Sequence, residues 1–310
     1  MRWMAIVTIT ACAGPARPPR VIGNVAPPPA PLHELTAWEP AEKLEPLGDD
    51  DDRIVRQAPA ATVVPQAPPV IDPPDPQGEE LVRRGDDAFV RAELDLAEGL
   101  YEQAVAMPSV AGYANYKLAW IALDRDDAKT ALADFMQAAA DPRVQRAAED
   151  DMTLAYAQVG DARKALAFFT HVDHARAIEL LERLGDRYAD LGSFEAADQV
   201  QHEAAAREVD PARACHAHVR GLEARLVSGT RDQILDDLAA VIARAPDADD
   251  ECRVSIDRIA GTLAWVWHTE MPKSETDPRQ VVRAWELAAQ AATTPARRAA
   301  AMRNRKRVPR

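Results

Sequence analysis

From about residue 78 onward, apolar side chains recur at helical spacing, and small and aromatic residues return at a fixed long interval. Ala97, Tyr101 and Ala104 stand at i, i+4 and i+7, which is one face of a helix. The trio returns 34 residues on as Ala131, Phe135 and Ala138, and after another 34 as Ala165, Phe169 and Val172. A small position ahead of it keeps the same register, Gly85 mapping onto Ala119. Turn-like pairs, Asp126-Asp127 and Gly160-Asp161, separate the helices. A fourth copy reads Leu184-Gly185, Tyr188, Gly192, Ala197 and Ala204, displaced by 32, with Gln201 where the others carry an aromatic. A looser fifth copy runs through Gly229, Ile234, Leu238 and Val241. Residues 251–270 and 279–293 read as a last helix pair, set off by Pro246 and by Pro272 with Pro278. A period of this length means one helical hairpin per unit, burying its apolar face against its neighbours. The pattern therefore predicts an all-α fold of about five to six helical hairpins.

These positions resemble the tetratricopeptide repeat, whose signature is small at position 8, small at 20, aromatic at 24 and small at 27. The resemblance covers roughly residues 78–245. It implies a right-handed α-solenoid in which the first helix of each repeat lines a concave groove, with positions 2, 5, 9 and 12 pointing into it. In the second repeat these are Tyr113, Tyr116, Trp120 and Leu123. Asp86 and Asp186 hold position 9 in repeats one and four, and Asp150 and Glu182 hold position 5 in repeats three and four. Rigid aromatics bury area at low entropic cost. The expectation is a peptide-binding groove with an aromatic patch and an acidic wall, suited to a peptide with basic residues. The alternative is that Tyr116 and Trp120 pack against the flanking helix and the acids form a solvated face. A narrower likeness lies in Tyr113-Ala-Asn-Tyr116-Lys117-Leu118-Ala119-Trp120 and Ala131-Leu132-Ala133-Asp134-Phe135. These stretches look like the repeat region of lipid-anchored tetratricopeptide proteins in the envelope and gliding-motility complexes of myxobacteria.

The front of the chain is of another kind. Of 24 prolines in the 310 residues, 16 fall between Pro15 and Pro76. Proline fixes φ and removes a donor, so residues 13–77 read as a disordered, Pro-rich tether. The run Asp49-Asp50-Asp51-Asp52 within it reads as a solvated linker feature. Ahead of it, Met1-Arg2 supplies a positive charge, Trp3 to Val7 a short apolar run, and Ile9-Thr10-Ala11-Cys12 resembles a bacterial lipobox. That resemblance implies lipidation of Cys12 and an outer-membrane lipoprotein facing the periplasm, with a cytoplasmic location as the alternative. The expected organisation is residues 1–12 as signal and lipobox, 13–77 as tether, 78–245 as repeats, 246–296 as a capping helix pair and 297–310 as a basic tail. That tail carries seven basic residues and no acid, and a frayed, solvated end is the plain reading.

Net charge and motifs narrow the function. A formal charge of −13 argues against general nucleic-acid binding. The chain lacks G-x-S-x-G, H-E-x-x-H, the phosphate-binding G-x-x-x-x-G-K and G-x-G-x-x-G, so no enzyme activity and no cofactor are expected. In Cys215-His216-Ala217-His218 the two histidines fall on different helix faces, and His171 and His174 read as a capping or exposed pair, so no metal is expected. Trp265, Trp267 and Trp285 are expected to seal the end of the array. Cys215 and Cys252 lie about one repeat apart on neighbouring first helices. A bridge between them stays open: helix axes pack about 8–10 Å apart, whereas bridged Cα atoms need less than ~7 Å. The predicted role is a non-catalytic scaffold or adaptor for protein partners in a bacterial envelope complex. Rival roles are an outer-membrane-protein assembly lipoprotein, an accessory to cell-wall or secretion enzymes, and a cytosolic adaptor.

Overall fold

A computed structural model describes residues 75–271 and 277–309. Cys12 and the expected signal and tether segments lie outside the described residues. The described residues are all-helical, with thirteen α-helices and no strand. The architecture is helical and repeat-like, compatible with a tetratricopeptide-type fold. Five hairpins follow one another: α1 (Pro76–Val90) with α2 (Leu94–Val105), α3 (Ala111–Asp124) with α4 (Ala128–Ala138), α5 (Gln145–Val159) with α6 (Ala165–Val172), α7 (Ala177–Asp190) with α8 (Phe194–Arg207), and α9 (Pro211–Ser228) with α10 (Arg231–Arg244). Then come α11 (Asp250–Glu270), α12 (Pro278–Ala291) and α13 (Pro295–Lys306). Packing is mostly between chain neighbours, with α5 also against α7 and α12 against α10. The buried core falls into three clusters in chain order, drawn from residues 81–121, 119–224 and 215–308.

The 34-residue register is visible as contact. Tyr101, Phe135 and Phe169 are fully buried, and so are Ala97, Ala131 and Ala165 four residues earlier. The small residue at position 8 makes room for the side chain at position 24. A Cβ added to Gly85 would fall 2.6 Å from the Tyr101 ring, and one added to Gly185 would fall 2.3 Å from the Gln201 amide. Gln201 thus takes the aromatic's place in the fourth repeat. Its Nε2 donates to the Glu182 carbonyl at 2.9 Å and to Asp186 Oδ1 at 3.2 Å.

A second register lies in the turns at position 15. Ala92 (φ 59°), Asp126 (φ 64°) and Gly192 (φ 74°) each adopt the left-handed conformation just past a first helix. The closing hydrogen bonds are the same each time: Glu93 N to Ala88 O, Asp127 N to Ala122 O, and Ser193 N to Tyr188 O. This is the six-to-one bond of a helix stop with a left-handed residue. The third repeat puts Gly160 there in extended conformation, with the Tyr156 ring so close that a Cβ would meet it at 2.3 Å. Gly192 meets the left-handed demand at no cost, whereas Ala92 carries a Cβ there. Ala92→Gly is expected to stabilise the fold by roughly 0.5–1 kcal/mol. A rise of a few degrees in melting temperature would bear this out, and a fall would remove the strain argument.

The C-terminal region departs from expectation in one way, and the start of the first helix in another. After α11 and α12, which fall within 246–296, a further helix, α13, occupies the expected tail. Residues 297–309 are no frayed tail, because α13 packs on α12, and Ala301, Asn304 and the following Val308 are buried. Its arginines are anchored by acids of earlier helices, Arg297 by Asp257 at 2.9 Å and Arg305 by Glu286 at 2.6 Å. Composition alone hides this, since the apolar face is made of alanines. Lastly, the first helix starts at Pro76, capped by the Asp75 side chain, two residues ahead of the drawn boundary. Trp285 is fully buried and donates through Nε1 to His268 Nδ1 at 2.9 Å, Trp267 is buried, and Trp265 packs at the margin of the same cluster.

Candidate functional site

The residues expected to line a groove all sit on first helices: Asp86 on α1, Tyr113, Tyr116, Trp120 and Leu123 on α3, Asp150 on α5, and Glu182 and Asp186 on α7. Most of these polar groups are engaged between neighbouring first helices. Asp86 accepts from Tyr101 at 2.6 Å and from Tyr113 at 3.0 and 3.1 Å, and faces Lys117 at 3.5 Å. Tyr116 donates to Asp151 Oδ2 at 2.6 Å. Asp150 meets Arg176 at 2.5 Å and Arg183 at 3.4 Å. Glu182 meets Arg213 at 3.3 Å and Arg220 at 2.9 Å, and Asp186 meets Arg220 at 3.6 Å.

These contacts follow a rule. Lys117, Asp151, Arg183 and Arg220 all stand at position 6 of their repeats. Each reaches position 5 or 9 of the repeat before it: Lys117 to Asp86, Asp151 to Tyr116, Arg183 to Asp150, and Arg220 to Glu182 and Asp186. Where position 6 is acidic, its partner is a tyrosine hydroxyl. The result is a ladder of alternating charge along α1, α3, α5, α7 and α9. Beside it, Arg176 links Glu149, Asp150 and Glu179, and Glu149 is buried. The bonds from Glu179, Asp150 and Glu149 hold the Arg176 guanidinium above its ordinary range.

The aromatics are tied into packing as well. The Tyr116 and Trp120 rings lie 5.8 and 6.1 Å from the Phe135 ring, the latter edge-on. Burial and the Asp86 carboxylate raise the Tyr113 hydroxyl above its usual range, and burial raises Tyr116. Burial also raises Asp151 and Asp186, the latter against the pull of Arg220. At neutral pH the tyrosines are therefore neutral donors. Tyr113, Tyr116, Trp120 and Leu123 are half-buried rather than freely presented, and the Asp186 side chain is half-exposed. The face is thus a mixed surface of half-buried aromatics and paired charge.

The ladder closes with a covalent link. Cys215 of α9 and Cys252 of α11 form a disulfide, their Cα atoms 6.2 Å apart. The separation expected between helix axes did not allow for how near two Cα atoms come where the axes pass. Near the bridged cysteines in sequence, His216 Nε2 lies 3.4 Å from Asp249 Oδ2. His171 and His174 are exposed, His171 in the last turn of α6. A cluster that sequence reasoning missed joins Asp198 and His202 of α8 to Asp237 of α10. Its sequence signal is the i, i+4 spacing of the first two.

No helix among the described residues is long and apolar enough to cross a membrane. Comparison of the chain with protein-family models and with curated proteins finds no match to either.

Proposed function

We propose that this chain is a non-catalytic helical-repeat scaffold of the tetratricopeptide type. In this reading it is a right-handed solenoid presenting the face of its first helices to protein partners, within a bacterial envelope complex. Lipid on Cys12 holds it there, and the Pro-rich segment spaces the repeats from the membrane. The observation that carries the reading is the register of contacts from one first helix to the next. Position 6 of each repeat meets position 5 or 9 of the one before, from Asp86 to Arg220. Such a ladder aligns successive first helices side by side, and a shared face of that kind is what repeat scaffolds use to bind. The envelope address draws support from the disulfide, because such links persist in oxidising compartments. It draws support also from the lipobox-like Ile9-Thr10-Ala11-Cys12.

Site-specific photo-cross-linking tests the binding face. A benzophenone amino acid is placed at Leu123 or Asp186 on first helices, and at Met136 on the exposed side of a second helix. Irradiation in cells is expected to give discrete envelope-protein adducts from Leu123 and Asp186 and none from Met136. Adducts from Met136 alone, or the same adducts from all three, would sink the first-helix reading. A hydrolase or an outer-membrane barrel precursor among the adducts would favour the enzyme-accessory or the assembly role respectively.

A further inference from the structure

The cluster between α8, α9 and α10 has features that the scaffold role does not use. Asp198 and His202 stand four residues apart on α8 and so share one face, while Asp237 approaches from α10. One potential ligand atom from each lies within 4.8 Å of the other two. His202 Nδ1 is 3.0 Å from Asp198 Oδ1 and 3.1 Å from the Asp198 main-chain carbonyl. Only 4% of the Asp198 side chain is exposed, and its buried Oδ1 faces the His202 ring nitrogen. Two donors of one tetrahedral zinc, each at 2.0–2.2 Å from the metal, stand about 3.3 Å apart. Oδ1 and Nδ1 stand at hydrogen-bond distance, with the proton on Nδ1 facing the Asp198 oxygens, and a bound ion would take that proton's place.

Arg225 of α9 completes the arrangement from behind. Its guanidinium pairs with Asp198 Oδ2, and its Nε donates to Asp237 Oδ2 at 3.0 Å. One oxygen of each carboxylate is thus held by the arginine, while the other Asp198 oxygen faces His202. Metal-binding carboxylates are commonly fixed in this way by outer hydrogen bonds. A second imidazole lies alongside. The His218 ring is 5.6 Å from that of His202, the residue is 6% exposed, and its Nδ1 is buried without a partner. A surface depression of about 450 Å³, lined in part by Asp198, His202, Glu203 and Arg225, opens onto the cluster.

We propose that Asp198, His202 and Asp237 form a binding site for a zinc-type divalent cation. Two carboxylates and one imidazole suit such an ion, and three protein ligands leave a position open to water or to a partner's side chain. The site pins α8 to α10 across α9, so the metal would stiffen the junction between the fourth and fifth hairpins. Arg225 is a positioning residue here, since it orients the carboxylates and does not meet the ion.

The experiment is calorimetric titration of the tag-free full chain with zinc chloride after chelator dialysis, with melting curves on the same samples. The wild type is expected to take up one equivalent and to melt at a higher temperature with zinc. His202→Ala and Asp237→Asn should each weaken binding by about tenfold or more and abolish the thermal shift, while His216→Ala leaves both intact. Circular dichroism confirms that each variant is folded. Should either variant not fold, His202→Gln serves in its place with the same expected loss. Absence of zinc uptake by the wild type, or unweakened uptake by the folded variants, would overturn the proposal.

Discussion

Phe135→Ala is expected to cost the folded region about 3–5 kcal/mol, the range for emptying a buried phenylalanine site. Phe135 is fully buried in the second hairpin, and both Tyr116 and Trp120 rest on its ring. Truncation leaves those two rings without their support, and close-packed helices recover only part of the lost volume. For a folded region of this size that is a fall of roughly 10 °C in melting temperature. Because each hairpin rests on its neighbours, the loss should also uncouple the first hairpins from the rest and split one unfolding transition into two. Met136→Ala, one residue on and 41% exposed, should stay within about 0.5 kcal/mol of the wild type. Equal effects from the two substitutions would mean that the 34-residue aromatic position is not the packing site described.

Loss of the disulfide is the second large effect. Cys215 and Cys252 are 37 residues apart in sequence, and a cross-link over that span restricts the unfolded chain by about 2–4 kcal/mol. The double variant Cys215→Ser/Cys252→Ser avoids the slow reduction of two buried sulfurs. Melting should begin in the C-terminal cluster, where Trp267 and Trp285 report the change by fluorescence. The N-terminal hairpins should melt near their wild-type temperature, since the link joins α9 to α11 alone. Coincident melting of both ends, unshifted from the wild type, would mean that the bridge contributes nothing to the fold.

The sequence was most legible where one residue type does one physical job at a fixed interval. Tyr101, Phe135 and Phe169 fill the gap between paired helices, so burial forces their spacing. The position-15 turns obey the same period, but Ala92, Asp126 and Gly192 share a backbone angle rather than a side-chain type. A search by composition passes over them. Charge was harder to read. Asp86, Asp150, Glu182 and Asp186 stand out as acids, yet their partners lie about one repeat away, so a single repeat read alone shows a wall and not a ladder. Had position 6 been compared across repeats, Lys117, Arg183 and Arg220 would have shown that those acids are paired. The C-terminal helix α13 was hidden for a different reason: seven basic residues in 297–310 masked an alanine face, and the anchors at Asp257 and Glu286 help hold it against the earlier helices.

The most direct test of an exported, anchored scaffold is the intact mass of the mature chain from membrane-fractionated cells, with a Cys12→Ala strain alongside. The account predicts a chain that begins at a diacylglyceryl-modified Cys12 and carries Cys215 and Cys252 without free thiols. In the Cys12→Ala strain, that lipid mass should vanish from the membrane fraction. A chain that begins at unmodified Met1, sits in the soluble fraction and alkylates at both cysteines would contradict it.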